Sequence, residues 1–470
     1  MGGMSKTYRP WNVDQAMLLP PSVQELVPAG HLAHFVRNLV RDSLDLSAIL
    51  ADYAEERGYP PYHPVMMTAL LLYSYCQGVY SSRTHGVRVR RIAAACEQRV
   101  DFMAITALQM PDFRTISDFR KRHLETLGAL FGQVLVLCEQ AGLVKLGHVA
   151  LDGTKIKANA SKHKAMSYGR MKQREVELAA EVQKWLEQAQ AADAAEDEAL
   201  GQQRRGDELP EWVANKQKRL AKMREAMAAL EADAAAAASA AVSEPEPCAP
   251  PAEGAEDLEE AATPVPGSPP QPAIPAPPDK AQRNFTDPES RIMKTPNGFE
   301  QAYNAQAAVD ADSQVIVAAG LTNASNDKQQ LAPMAAQIET NTGRTPKEMS
   351  VDNGYCSEDN LEELERLGIR GYVATGRQKH GKASATGKGA GRSGTRVQRM
   401  SRRLKQGGHR SRYRLRKQTV ELVFGQIKGA RGFRQSHLRG LTKVADEWNL
   451  ICLAHNLLKL AKAGPTIGRR

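Results

Sequence analysis

The stretch VALDGTKIKANAS, residues 149–161, decides the fold. An apolar run leads to Asp152, Gly153 follows, and Lys155 and Lys157 then alternate with apolar residues. This alternation predicts a β-strand with one buried face. A carboxylate at the end of such a strand must be solvated, paired or bound to a metal, because an isolated buried charge is costly. For a single Asp-Gly pair, a simple turn after a strand is the more common explanation.

A second aspartate ends a second short strand. In MSVDNGY, residues 349–355, an apolar run leads to Asp352 and a glycine turn follows. Upstream, residues 303–310 and 314–319 predict an antiparallel hairpin, and Asp327, with the asparagine before it, predicts the cap of the next helix. Strands and helices in this order predict a mixed α/β domain. Two strand-end aspartates in one domain are harder to explain as turns than one.

A third carboxylate lies on a late helix. In YRLRKQTVELVFGQIK, residues 413–428, Glu421 shares a helix face with Lys417 and Lys428. An ordinary helix salt pair between Lys417 and Glu421 stays open as an explanation. With two strand-end aspartates upstream, the more informative hypothesis is that three carboxylates converge. The apolar residues at helical spacing predict a buried stripe made of Val420, Val423, Phe424 and Ile427.

The predicted site is rich in oxygen ligands. The six cysteines are scattered without a close pair, so the sequence offers neither a zinc site nor a disulfide framework. Three carboxylates suit Mg²⁺ or Mn²⁺. Two such ions can activate a water or a 3′-hydroxyl and stabilise the leaving oxygen of a phosphodiester.

The net charge of +10 indicates a polyanionic partner, most simply nucleic acid. Residues 377–417 contain many Lys and Arg residues but no Asp or Glu. Such a run is usually a solvated tail, but this one lies inside the chain, which favours a role in contacting phosphates. We therefore predict a DNA-contacting basic segment over residues 377–412, with Arg402, Arg403, Arg410 and Arg412 as its candidate contacts.

Residues 1–145 predict an N-terminal helical domain. Within it, PDFRTISDFRKRH, residues 111–123, places an Asp/Thr turn before a helix with a basic face. That face is either simply solvated or part of a DNA-binding helix, in which Arg114 and Arg120 would contact phosphates.

A long insertion follows the first strand. Residues 171–232 are rich in Ala, Glu, Lys and Arg and predict helices, whereas residues 233–285 are Ala/Pro-rich and predict a disordered linker. No secretory signal or membrane-spanning run is visible, and the cysteine pattern suits a reducing cytosol.

Taken together, these residues resemble the DDE transposases of bacterial insertion sequences. The helical region before residue 145 resembles the domain that precedes the catalytic core in those enzymes. The resemblance covers nearly the whole chain outside the low-complexity insertion. It is carried by DGTK at residues 152–155, DPESR at 287–291, YNAQ at 303–306, DNGY at 352–355, the helix from Glu421 to Lys428, and, near the N-terminus, YHP at 62–64 and PDFRTIS at 111–117.

The resemblance implies an RNase H-like α/β fold with a mixed sheet, formed by residues 146–170 and 286–463. It assigns catalysis and metal binding to Asp152, Asp352 and Glu421. It also implies cleavage at terminal inverted repeats and strand transfer into target DNA by a dimer or larger assembly, in a cytoplasmic, nucleoid-associated protein.

The basic residues near the acids are candidate DNA contacts. Lys155 and Lys157 lie beside Asp152 in the sequence, and Arg414, Lys417 and Lys428 surround Glu421. A related family signature has Tyr, Arg three residues later, Glu four further and Lys seven beyond. Glu421 and Lys428 fit it, but the first two positions hold Arg414 and Lys417, with Tyr413 and Arg416 each one residue away.

Two other hypotheses stay open. One is a non-catalytic DNA-binding descendant of a transposase, such as a repressor or an inactive copy, which the presence of all three acids disfavours. The other is a general RNase H-like nuclease indifferent to inverted repeats, which the long N-terminal helical region disfavours.

Overall fold

The computed structural model describes residues 22–53, 61–81, 92–200, 211–242, 276–296, 298–376, 394–407 and 411–464. Seven helices precede the first strand of these described parts. Their ends follow local rules: Asp112 accepts hydrogen bonds from two backbone amides at the start of the sixth helix, and Pro64 begins the third. The helices are α1 Leu32–Asp42, α2 Ser47–Ala51, α3 Pro64–Cys76, α4 Ile92–Gln98, α5 Val100–Thr106, α6 Phe113–Arg122 and α7 Leu124–Gln140.

The rest of the described chain alternates strands and helices, as the sequence predicted. In chain order the elements are β1 Val149–Lys157, β2 Ala165–Ser167, α8 Tyr168–Leu200, α9 Glu211–Val242, β3 Gln282–Asn284, β4 Arg291–Thr295, β5 Gly298–Asp310, β6 Ile316–Thr322, α10 Leu331–Thr342, β7 Glu348–Val351, α11 Glu358–Arg366, β8 Arg370–Val373, α12 Arg396–Gly407, α13 Leu415–Gly425 and α14 Leu441–Ala463.

Six strands form one mixed sheet in the order β4-β5-β1-β7-β8, with β6 also paired to β5. The long β5 runs antiparallel to β1 and is shared on its other side by β4 and β6. Strands β1, β7 and β8 are parallel. Within this sheet, and with the short β4 set aside, β7 is the fourth strand in chain order, so the mixed sheet has the expected RNase H-like arrangement.

The N-terminal helices and the sheet share one hydrophobic core. Helix α14 packs against α7 and α3 on one side and against β6 on the other. Trp448 on α14 is 1% exposed, and its indole Nε1 donates a hydrogen bond to the Gln306 carbonyl oxygen of β5 at 3.0 Å. The proposed boundary near residue 145 therefore separates two segments of sequence but not two cores.

The insertion is more ordered than the sequence predicted. Helix α9 continues to Val242, and β3 pairs with β2, so residues 233–242 and 276–285 are not a disordered linker. Apolar side chains of α8 and α9 pack on each other, and Asp233 pairs with Arg283 and Arg291 at 3.3 and 3.2 Å, which favours the added order. The predicted linker residues 243–275 lie outside the described residues. In the described chain, every helix is too short or too polar to span a membrane.

Candidate active site

Asp152 lies within β1, and Asp352 directly follows β7, the parallel strand beside it. The sequence predicted that the first strand would end at Asp152, but β1 continues to Lys157 because it pairs with β5 over its whole length. Leu151 of β1 is paired with Val351 of β7, so the two aspartates follow at equivalent positions. The Asp352 side chain accepts a hydrogen bond from the Gly354 amide and caps a 3₁₀ turn. The apolar runs before both acids are buried strands, and this places two carboxylates side by side.

Glu421 comes close to Asp152 from α13. Arg416 donates from Nη1 to Asp152 Oδ2 at 2.5 Å and from Nη2 to Glu421 Oε1 at 3.0 Å. One guanidinium thus joins acids that are far apart in sequence. The side chains of Asp152 and Arg416 are 14% and 12% exposed, whereas Glu421 is 44% exposed. Salt screens such a sheltered pair less than it screens a surface pair.

The cation in this bridge is Arg416, not the Lys417 at the signature position. Lys417 is exposed, and the Arg416 guanidinium lies 5.9 Å from the centre of the Tyr413 ring. A 3₁₀ turn over Arg412–Arg414 precedes α13 and sets the direction of both side chains. The signature positions hold Arg414 and Lys417, but Tyr413 and Arg416, each one residue away, still lie in this region.

The surroundings of Asp152 disfavour the charged form of its carboxyl group. Burial, followed by repulsion from Asp352, raises its pKa to about 7 against the opposing effect of Arg416. A folded-state pKa above the unfolded value means that the folded protein holds a proton between about pH 4 and pH 7 that the unfolded chain releases. The stability of the metal-free protein therefore falls as the pH rises through this window.

We expect Asp152→Asn to remove the loss of stability that the metal-free protein suffers as the pH rises. In EDTA, the free energy of unfolding of Asp152→Asn relative to wild type should rise by roughly 2 kcal/mol between pH 5 and pH 8, since one pKa unit corresponds to about 1.4 kcal/mol. Urea titrations at the two pH values measure the difference. A constant difference across this range would contradict a raised pKa at Asp152.

Asp327 is a fourth carboxylate that the sequence did not single out. It was predicted to cap a helix, but α10 begins only at Leu331 and has no side-chain cap. Instead Asp327 Oδ1 accepts hydrogen bonds from Asn304 Nδ2 and Gln306 Nε2 at 2.6 and 2.8 Å. The sequence did contain a sign of this group, because Asn304 and Gln306 are two residues apart on one strand and therefore face the same side of the sheet.

Gly153 makes room for this group. A Cβ atom at residue 153 would lie 2.6 Å from Gln306 Nε2, 2.7 Å from Asp327 Oδ1 and 2.9 Å from Asn304 Oδ1. Such distances are too short for a real side chain, so the glycine after Asp152 is a packing requirement. The turn predicted at Gly153 is wrong, because Gly153 lies inside β1 and pairs with Gln306 of β5.

The lysines near the acids are held by the protein. Lys155 Nζ donates to the Ser325 carbonyl oxygen at 3.1 Å and lies 3.9 Å from Asp327, and Lys157 pairs with Glu300 at 2.9 Å. Lys428 donates to Thr154 Oγ1 at 2.5 Å and to the Lys155 carbonyl oxygen at 2.6 Å. Burial, helped by Arg434 and Lys155, lowers the pKa of Lys428 to about 8. Lys428 thus ties β1 to the turn that follows α13, while Lys155 and Lys157 tie β1 to the loop after β6 and to β5.

The other candidate DNA contacts have different fates. Arg120 is only 6% exposed and donates to the Tyr80 carbonyl oxygen at 2.8 Å, so its assignment as a phosphate contact is corrected to a core role. Arg410 lies outside the described residues. The remaining arginines lie at the surface or partly buried: Arg114 and Arg414 are exposed, Arg402 is half-buried, Arg403 bonds the Gly371 carbonyl oxygen and Arg412 pairs with Glu348.

The donor set suits a hard divalent cation, although the described residues contain no ready-made group of three metal-ligating side chains. Arg416 now supplies the positive charge between Asp152 and Glu421. Beside them, the buried Asn304 Oδ1 has no hydrogen-bond partner among the described residues. Oxygen donors of this kind fit Mg²⁺ or Mn²⁺ better than zinc.

An RNase H-like sheet with acids on adjoining strands and on a late helix is the arrangement of the polynucleotidyl-transferring nuclease class. Comparison with protein families identifies the family within this class. The model described as Transposase DDE domain matches residues 262–457, and the model described as Transposase domain (DUF772) matches residues 21–122. Together they cover more than half of the chain, which belongs to the DDE transposases of insertion sequences. The DDE match includes Asp352 and Glu421 and begins after Asp152. No curated protein and no solved structure matches the chain significantly.

Proposed function

We propose that this protein binds the terminal inverted repeats of its element, cleaves phosphodiester bonds there and joins the ends to target DNA. Asp152, Asp352 and Glu421 are the proposed catalytic acids. The observation that carries this function is that Arg416 bridges Asp152 and Glu421 while Asp352 directly follows the strand next to Asp152. Structural ion pairs between distant segments also occur without a metal site, and the nearness of Asp352 to this pair is what favours a catalytic site.

The three acids would hold Mg²⁺ or Mn²⁺, which supplies an activated water or 3′-hydroxyl and neutralises charge on the leaving oxygen. The chain's own residues do the rest. Arg416 holds Asp152 and Glu421 close together until a cation binds the acids or a phosphate binds Arg416. Lys428 and Lys155 hold β1 in place, and fixed geometry of this kind is where much of the catalysis of phosphoryl transfer lies.

DNA in this proposal runs across a surface that carries Arg114, Arg414 and Lys417, all exposed. Two ends must be held for transposition, so we propose a homodimer or larger assembly on paired ends. The test is a nicking assay on duplexes that carry the element's own ends. Metal-dependent cleavage at the repeat boundary supports the function, and equal cleavage of scrambled ends would instead indicate a general nuclease.

One observation favours a second candidate, a DNA-binding descendant without catalysis. Arg416 already neutralises two of the acids. If that pairing persists with Mg²⁺ and DNA present, the protein binds ends but does not cut. End binding without cleavage in either Mg²⁺ or Mn²⁺ is the result that this candidate predicts.

Gly153→Ala should impair cleavage more than binding. The added methyl group collides with Asp327 and its two amide partners and pushes Asp152 out of place. We expect the cleavage rate to fall by at least about tenfold, since small displacements of reacting groups are costly. Single-turnover cleavage and end-binding assays measure the two effects. Gly147→Ala is the matched control, because a Cβ atom there meets nothing within 4 Å. Equal losses in both variants would argue against a cradle around Gly153.

A further inference from the structure

A basic cleft lies at the far end of β1 from Asp152. Its volume is about 570 Å³, and it opens between the loop after β1 and the hairpin of β4 and β5. The sequence did not single out most of its lining as functional. The side chains that concern its chemistry are Lys157, Lys162, Lys164, Phe299 and Arg439.

The cations of this cleft are available to an anion. Lys162 and Lys164 lie on an exposed 3₁₀ turn that Ser161 caps, and neither has a carboxylate partner in the described parts of the chain. Arg439 is exposed and uses Nε to donate to the Asn159 carbonyl oxygen at 2.9 Å. Only Lys157 is neutralised locally, by Glu300. The cleft therefore carries an uncompensated positive charge.

An aromatic ring lies at the rim of the same cleft. Phe299 is 63% exposed at the start of β5, and among the large apolar side chains of the described residues only Val176 is more exposed. A phenylalanine left in water beside free lysines has no packing role that explains its position. Aromatic rings next to a positively charged groove are the arrangement on which unpaired bases stack, because every base offers a π-face.

The size and position of the cleft select the ligand. A space of about 570 Å³ is large enough for one or two nucleotides and too small to enclose a duplex. From Asp152 to Lys157 the strand β1 advances five residues, or roughly 16 Å at about 3.3 Å per residue. A DNA strand that leaves the acids along β1 thus reaches the cleft within a few nucleotides.

On the basis of the transposase function proposed above, we propose that this cleft holds an unpaired nucleotide of the DNA strand. Its phosphate lies against Lys162, Lys164 and Arg439, and its base stacks on the ring of Phe299. The site is separate from the acids and is selective for single-stranded over duplex DNA.

The test uses the full-length protein and a fluorescein-labelled 15-mer of thymidylate, with a blunt duplex of equal length as the second probe. Phe299→Ala should weaken binding of the single strand by about tenfold, since stacking contributes about 1–3 kcal/mol per base. Binding of the duplex should stay within about twofold. Phe299→Trp keeps a ring and should restore single-strand binding.

The lysines are tested by salt dependence. Lys162→Ala combined with Lys164→Ala should lower the slope of log affinity against log salt by about 1.4, or about 0.7 for each phosphate lost on a single strand. Lys347→Ala, an exposed lysine at the opposite end of the sheet, is the control and should leave the slope unchanged.

Two results would overturn the proposed nucleotide site. One is an unchanged affinity for the single strand in Phe299→Ala, and the other is an equal loss of affinity for the single strand and the duplex. The proposed transposase function fails on a different result, the absence of metal-dependent cleavage by the wild-type protein. If the wild-type protein cleaves DNA but its affinity for the single strand does not depend on Phe299, only the proposed nucleotide site is wrong.

Discussion

Asp152→Asn is expected to lower metal-dependent cleavage of end-containing DNA by on the order of 10³-fold or more, while end binding changes by less than about threefold. The amide keeps the size and most hydrogen bonds of Asp152 but cannot bind a divalent cation as a carboxylate does. Arg416 retains Glu421 as a partner, so the fold around the site is preserved.

Single-turnover cleavage on a duplex that carries one element end measures the first quantity, and fluorescence anisotropy in Ca²⁺ measures the second. Asp352→Asn and Glu421→Gln should give losses of the same order. Asp312→Asn is the matched control, since Asp312 is an exposed aspartate that pairs with Lys145 at 3.6 Å, in the turn before β6.

Retention of more than about a tenth of the wild-type rate in Asp152→Asn would contradict the assignment of this residue as a catalytic acid. Equal loss of cleavage in Asp312→Asn would show that the assay reports folding and not the site.

Trp448→Ala should destabilise the whole protein by about 3–5 kcal/mol, the usual cost of removing a large buried aromatic side chain. Trp448 is 1% exposed and packs near Phe424 of α13, with ring centres 6.4 Å apart. Its loss also leaves the Gln306 carbonyl oxygen without the indole donor. Because α14 joins the N-terminal helices to the sheet, we expect both regions to lose stability together.

Guanidinium unfolding followed by far-UV circular dichroism gives the free energy, and native-state hydrogen exchange gives its distribution. Amide protection should fall in both α3 and β5. Trp185→Ala, on the insertion helix α8, is the control and should leave both protected. Loss of protection in β5 alone would show that the N-terminal helices form an independent core.

Much of the sheet and of the candidate site follows from local sequence. Strand β1 begins with an apolar run that leads to Asp152, β7 is an apolar run followed by Asp352, and the buried stripe of α13 has helical spacing. Ser357 caps α11 by accepting a hydrogen bond from the Asn360 amide, which is a local pattern of the same kind. Such features depend on a few neighbouring residues, which is why a sequence reveals them.

Other features depend on contacts between distant segments, and these the sequence did not reveal. Arg120 has the sequence context of a surface cation, yet it is buried against the Tyr80 carbonyl oxygen. Asp327 has the context of a helix cap, yet it binds two amides of β5. The residues 233–242 have the composition of a linker, yet they extend α9 because the helix packs on α8 and its Asp233 pairs with two arginines.

The sequence by itself determined which side chains were candidates: three acids that follow apolar runs or flank a buried helix stripe, in a basic chain of mixed α/β pattern. Only the tertiary structure decided that β1 and β7 are neighbours, which brings Asp152 beside Asp352, and that Arg416 rather than Lys417 joins Asp152 to Glu421. Periodicity fixes the buried face of an element, because burial repeats along the element itself. Which residue of another element meets that face depends on strand register and helix position, and these are set by the packing of the whole core.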